Sequence, residues 1–159
     1  MSSPAAARRS QCLLRHGAFL LLLGLLTGFL TPVIENPHMG LLSHLEGILN
    51  GILLIALGLV WPRLRLAPAA LTTAYWLGLY GAYVSWATTL FTAWLGVGTW
   101  LPVAAGEETH DDWQKALIQF GLLSFAVSLV ILSWILIWGL RGAGEEEAPP
   151  AEAGAGPAG

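Results

Sequence analysis

The chain has 159 residues, 55% of them apolar and only 11% charged, with 19 glycines, 8 tryptophans and a formal net charge of −3. Soluble domains run near ~25% charged, and here the charges leave whole stretches empty, with none in 17–34, 66–106 or 116–140. That excludes a soluble globule, the sparse basic residues exclude an electrostatic footprint for nucleic acid, and the lone Cys12 excludes an internal disulfide or a thiolate metal framework.

A hydrocarbon span takes about 20 mostly apolar residues, so the pattern predicts an all-α integral membrane protein, a bundle of four transmembrane helices. Residues 1–12 have the small, polar composition of a disordered tail, and residues 13–141 make the membrane domain. The first span is placed at 17–34. It follows Arg15 much as a signal peptide would, yet runs on to Ile34 with no small-residue cleavage pattern before Asn36-Pro37, and so reads as a retained span. Gly24 and Gly28 stand four apart on it, the spacing that lets helices approach closely in lipid.

The second span, 43–61, is short and contains Glu46. Ser43 with Glu46 three residues on reads as a capping box, and Pro62, Arg63 and Arg65 close its far end. The third, 70–95, belongs to an uncharged run long enough for two spans. No turn signal breaks its middle, so one helix bounded by Pro68, with a Gly96 and Gly98 exit before Pro102, is the simpler reading. The acidic loop 107–112 reads as solvated rather than as a carboxylate metal site. A fourth span at 116–140 precedes a second disordered tail, 142–159.

Arg8, Arg9, Arg15, Arg63, Arg65 and Arg141 all fall on one side of four such spans, leaving Lys115 with Glu35, Glu107, Glu108, Asp111 and Asp112 on the other. The arginine-rich side is cytoplasmic by the positive-inside rule, which puts both termini there. Trp61, Trp94, Trp100, Trp113 and Trp138 stand at span ends as an interfacial belt.

Few polar groups remain inside. At 100° per residue, Gly47, Gly51 and Gly58 share a face with His44, an arrangement suited to a flat macrocycle with an imidazole on its metal; singly, His44 also reads as an interfacial histidine on a loop carbonyl. Asn50 is costly in lipid unless partnered. It lies about 120° round the helix from His44, so the two face different neighbours, as when sites lie between subunits of a ring. Trp76, Tyr80 and Tyr83 form an aromatic stripe that serves either core packing or an aromatic substrate. Tyr75, near the helix start, reads as interfacial, and His16 and His38 as headgroup histidines. There is no phosphate loop, serine elbow, HExxH or CxxC.

The segment from Glu35-Asn36-Pro37-His38-Met39-Gly40-Leu41 through His44-Leu45, Asn50-Gly51 and Trp61-Pro62-Arg63 resembles the hydroxylaminobenzene mutase family. His38 stands where the family pattern has Arg. The likeness is strong over 14–66, moderate through the third span and weak beyond. It extends to styrene oxide isomerase, a small four-helix membrane enzyme whose His, Asn-Gly and following Tyr correspond to His44, Asn50-Gly51 and Tyr83; the acidic residue of that enzyme's third span has no counterpart here. The resemblance implies a multi-pass protein of a bacterial inner membrane, a homotrimer holding heme b between subunits. It implies His44 as axial iron ligand above Gly47 and Gly51, Asn50 and Tyr83 as catalytic groups, and Trp76 and Tyr80 against the substrate ring. The implied reaction is conversion of hydroxylaminobenzene to 2-aminophenol, with an epoxide-to-aldehyde isomerase as the enzymatic alternative. A small structural or partner-binding membrane protein is the non-catalytic one.

Overall fold

The computed structural model describes residues 4–96 and 112–141. They form four helices, α1 (Pro4–Leu30), α2 (Pro37–Val60), α3 (Pro68–Leu95) and α4 (Asp112–Arg141), with single 3-10 turns over Thr31–Val33 and Trp61–Arg63. Three stretches, Pro4–Val33, Pro37–Arg63 and Asp112–Arg141, are long and apolar enough to cross a membrane. α3 has 28 residues, about 42 Å of helix at 1.5 Å per residue, and carries no Asp, Glu, Lys or Arg. Its Ser, Thr and Tyr content lowers its hydropathy for a structural reason: it is one of two inner helices, packed against α2 on one side and α4 on another. Its buried Thr89 and Thr92 hydroxyls donate to the carbonyls of Ser85 (2.9 Å) and Thr88 (2.8 Å) one turn back, which satisfies them without water.

The helix starts depart from the sequence expectation in two places. α1 begins at Pro4, so it takes in most of the segment 1–12 expected as a tail. Pro suits a first helical turn, Ala5–Ala7 favour helix, and Ser10 Oγ donates to the Gly58 carbonyl at 2.7 Å, fastening this stretch to α2. α2 begins at Pro37, with Asn36 as N-cap accepting from the Met39 N–H at 3.2 Å. Ser43 and Glu46 therefore lie well inside the helix and form no capping box; Ser43 Oγ donates instead to the Trp86 carbonyl of α3 at 3.2 Å. α3 does end as expected at Gly96, whose φ of +66° terminates the helix in the left-handed conformation that glycine tolerates.

Short connections lay α1, α2 and α3 antiparallel in sequence, and α1 also reaches α3. The core gathers Leu13 and Leu20 of α1, Leu54 and Leu57 of α2, Ala74, Leu79 and Ala82 of α3, and Leu132 of α4. Trp61 is buried in it, edge-on to Tyr75 with centroids 6.1 Å apart, and so belongs to the core rather than to the belt. Trp94, Trp113 and Trp138 are exposed. Trp100, the loop 107–111 and the tail 142–159 lie outside the described residues.

α1 and α2 meet backbone to backbone. A Cβ on Gly24 would sit 2.7 Å from the Gly47 carbonyl carbon and the Ile48 nitrogen, and one on Gly51 would sit 2.8 Å from the Gly17 oxygen. The edge of Gly47, Gly51 and Gly58 is thus covered by α1 and is no open bed for a macrocycle. Among glycines the contrast is sharp: a Cβ on Gly81 would meet nothing nearer than Ser128 Cβ at 3.5 Å. Gly24→Ala should therefore cost about 1–3 kcal/mol of stability, because backbone cannot yield. Gly81→Ala should be neutral or stabilising by up to about 1 kcal/mol. Unfolding of the two variants in a denaturing-detergent titration checks the difference in sign.

Candidate functional site

His44 is half-buried on α2, where its Nδ1 lies 2.8 Å from the Gly24 carbonyl oxygen of α1. A carbonyl only accepts, so Nδ1 carries a proton and donates; in the neutral ring this leaves the lone pair on Nε2. Nε2 has no hydrogen-bond partner among the described residues. This is how metal-ligating histidines are usually oriented, with the far nitrogen tied to a carbonyl and the near one presented. Gly28 makes room for the ring, since a Cβ there would stand 2.7 Å from Nδ1.

Asn50 lies on the other side of α2, 5% exposed and facing α3. Its Nδ2 donates to Glu46 Oε2 at 2.8 Å, and Ser85 Oγ of α3 donates to the same oxygen. Glu46 is therefore an interior carboxyl held by two helices, and Ser85 joins it; reading Glu46 as a cap concealed both. Asn50 Oδ1 accepts no hydrogen bond among the described residues.

The aromatic stripe does not converge on these groups. Trp76 and Ser85 are nine residues apart, 180° round a helix, so the stripe faces away from the Asn50 cluster. Trp76 is 63% exposed and stacks edge-on with Tyr75, centroids 5.4 Å apart. Tyr80, 42% exposed, donates to Ser124 Oγ of α4 at 3.0 Å. It lines an apolar cleft of about 410 Å³ with Thr88, Phe91, Leu117 and Phe120. Tyr83 turns instead toward α1, its hydroxyl 2.9 Å from His16 Nδ1 and the two rings edge to face.

His16 is thus an interhelical partner rather than a headgroup histidine, whereas His38 is exposed. Tyr75, read as interfacial, donates to Cys12 Sγ at 3.1 Å and lies under the Arg9 guanidinium. Only the spacing of His16 and Tyr83 on helices that run parallel could have signalled their pairing, and that spacing is invisible until the bundle is assembled.

Four separate places therefore hold the residues picked from the sequence: His44 over α1, Asn50 with Glu46 and Ser85, Tyr83 with His16, and the outward Trp76 and Tyr80. The family model described as styrene oxide isomerase matches residues 9–141. Among characterised proteins, hydroxylaminobenzene mutase HabB of Ectopseudomonas oleovorans is 47% identical over 132 residues, 82% of this chain and 80% of that protein. Hydroxylaminobenzene mutase HabA of the same organism is 42% identical over 130 residues, 78% of this chain and 96% of that one. No solved structure matches the chain significantly.

The His44 geometry makes a direct prediction. In nitrogen-15-labelled full-length protein, NMR should find His44 protonated on Nδ1 and bare on Nε2. Gly28→Ala, which drives a methyl into the ring, should break the bond to Gly24 and let the other tautomer in. A wild-type Nε2–H tautomer would contradict the arrangement.

Proposed function

Because the chain belongs to the styrene oxide isomerase family, we propose that it is a multi-pass membrane isomerase that converts hydroxylaminobenzene to 2-aminophenol by an intramolecular hydroxyl shift. The relatives are named for a mutase acting on that substrate. Substrate and product are isomers: the N–O bond breaks, a C–O bond forms at the ortho carbon, that carbon loses a proton and nitrogen gains one. No electrons enter or leave, so no oxidant or reductant is required.

The observation that carries the reading is that α2 turns to different sides two ligand atoms that have no partner among the described residues, His44 Nε2 and Asn50 Oδ1. Among the described residues no three His, Cys, Asp or Glu side chains come together, so His44 suits a metal whose remaining ligands come from a macrocycle. In this proposal His44 Nε2 would hold the iron of heme b, while Gly47 and Gly51, covered by α1, leave the set of cofactor contacts. A heme held there would supply Lewis-acid chemistry at the N–O group.

The protein's own groups do the rest. Asn50 Oδ1 accepts a hydrogen bond from the NHOH group and fixes its orientation. Tyr83, its hydroxyl directed by His16, is the second orienting group, and Trp76 and Tyr80 stack on the ring. The apolar surroundings keep water from the electron-poor ring that N–O cleavage creates.

These groups do not meet within one chain, and a homotrimer with sites between subunits brings them together. α3 then completes four spans with both termini cytoplasmic in a bacterial inner membrane, six arginines lying toward that end. The family's name favours one other substrate, an aryl epoxide, and turnover of styrene oxide to an aldehyde measures it.

Purified full-length protein given hydroxylaminobenzene should form 2-aminophenol above the uncatalysed background, and in oxygen-18 water the product should stay unlabelled. Background-level product, or label from water, would sink the mutase reading. The same protein should show a Soret band that His44→Ala abolishes; a band indifferent to His44 removes the heme assignment alone. Asn50→Ala should lower kcat/KM by about tenfold or more, the worth of one hydrogen bond away from water.

A further inference from the structure

The Asn50 amide is not free to choose which end it shows. Its Nδ2 donates to Glu46 Oε2 one helical turn back, and that oxygen is anchored from the opposite helix by Ser85 Oγ. Turning the amide over would set Oδ1 against Oε2, two acceptors in contact, with water absent to relieve them. The carbonyl end therefore faces away from Glu46, and it has no partner among the described residues although Asn50 is 95% buried. Among the described residues the fully buried side-chain atoms without a partner are Asn36 Nδ2 and Gln114 Oε1; Asn50 Oδ1 is not one of them and so keeps an accessible face that a ligand's donor can reach.

We infer that Glu46, with Ser85, is a positioning device that makes Asn50 a hydrogen-bond acceptor and thereby selects substrates bearing N–H or O–H groups over aryl epoxides. The inference rests on the proposal that Asn50 faces the substrate. A hydroxylamine carries both kinds of donor on the reacting atoms. An aryl epoxide has a ring oxygen that only accepts, so against Asn50 Oδ1 it leaves two acceptors unpaired. Discrimination of this kind is strong because the penalty falls on the wrong ligand, whereas an apolar pocket alone separates the two aromatic ligands weakly. Glu46 itself need not touch the substrate for this to operate.

The test compares two stable probes of similar size in equilibrium dialysis of the full-length, detergent-purified protein. Benzaldehyde oxime has an O–H donor; its O-methyl ether has none and, unlike styrene oxide, is not a candidate substrate. Wild type should hold the oxime at least about tenfold tighter. Glu46→Leu, which frees the amide to turn, should bring the two within about twofold, mainly by weakening the oxime. Ser85→Ala, which releases the Glu46 carboxyl from α3, should reduce the preference in the same direction. Asn50→Ala reaches parity by a second route and serves if Glu46→Leu does not fold, folding being judged by circular dichroism. No preference in wild type, or a preference that survives in Asn50→Ala or in folded Glu46→Leu, overturns the inference. A preference left unchanged by Ser85→Ala removes Ser85 from the device. Dialysis needs no turnover, so an absence of 2-aminophenol from wild type refutes the reaction without touching this result.

Discussion

Everything near the site depends on how closely α1 lies on α2. Lipid supplies no hydrophobic drive between helices, so association rests on tight packing and on polar contacts. Here the packing is glycine on glycine, Gly24 over Gly47 and Gly17 over Gly51. Each helical glycine costs about 1 kcal/mol relative to alanine. What is obtained is an interhelical distance short enough for a backbone carbonyl of α1 to reach the imidazole of His44. Gly28 clears the volume that the ring occupies. Remove any one of these and the histidine loses the acceptor that sets its tautomer.

The seam between α2 and α3 is built on a different principle. There the contacts are polar: Ser43 to the Trp86 carbonyl, Ser85 to Glu46, and Trp86 Nε1 onward to Thr27 Oγ1 of α1 at 3.2 Å. An intramembrane carboxyl is expensive unless several donors meet it, and Glu46 has one from its own helix and one from the next. This accounts for the composition of α3, whose Ser and Thr would be a liability facing lipid and are an asset between two helices. It also means that the low hydropathy of α3 reflects its inner position.

Much of this was legible in the chain itself. The absence of charge located the apolar stretches, Gly96 ended α3 where a glycine was expected to, and the 120° between His44 and Asn50 survives in their facing α1 and α3. What misled was local resemblance to a rule. Ser43 and Glu46 have the spacing of a capping box, but Asn36-Pro37 lies upstream with a stronger start signal, a side-chain acceptor followed by a residue with no N–H to satisfy. The glycine face of α2 was correctly found and wrongly furnished, because periodicity says which residues share a face and nothing about what covers it. His16 with Tyr83, and Trp61 with Tyr75, depend on contacts between distant helices that no window of sequence contains.

The directions in which the polar groups point constrain any catalytic use of them. His44 and Asn50 share a helix but face different neighbours, and the Trp76 and Tyr80 edge of α3 is turned half a revolution from Ser85. No bending of side chains brings an aromatic ring stacked on Trp76 next to Asn50 of the same chain, since the body of α3 stands between them. A reaction that needs an iron ligand, an orienting carbonyl and a stacking surface must then draw them from more than one copy. Under the proposed reading, this is why so small a chain suffices: each copy contributes different groups to two sites, and Glu46 matters because an amide offered to a neighbour's substrate has to be oriented before that neighbour arrives.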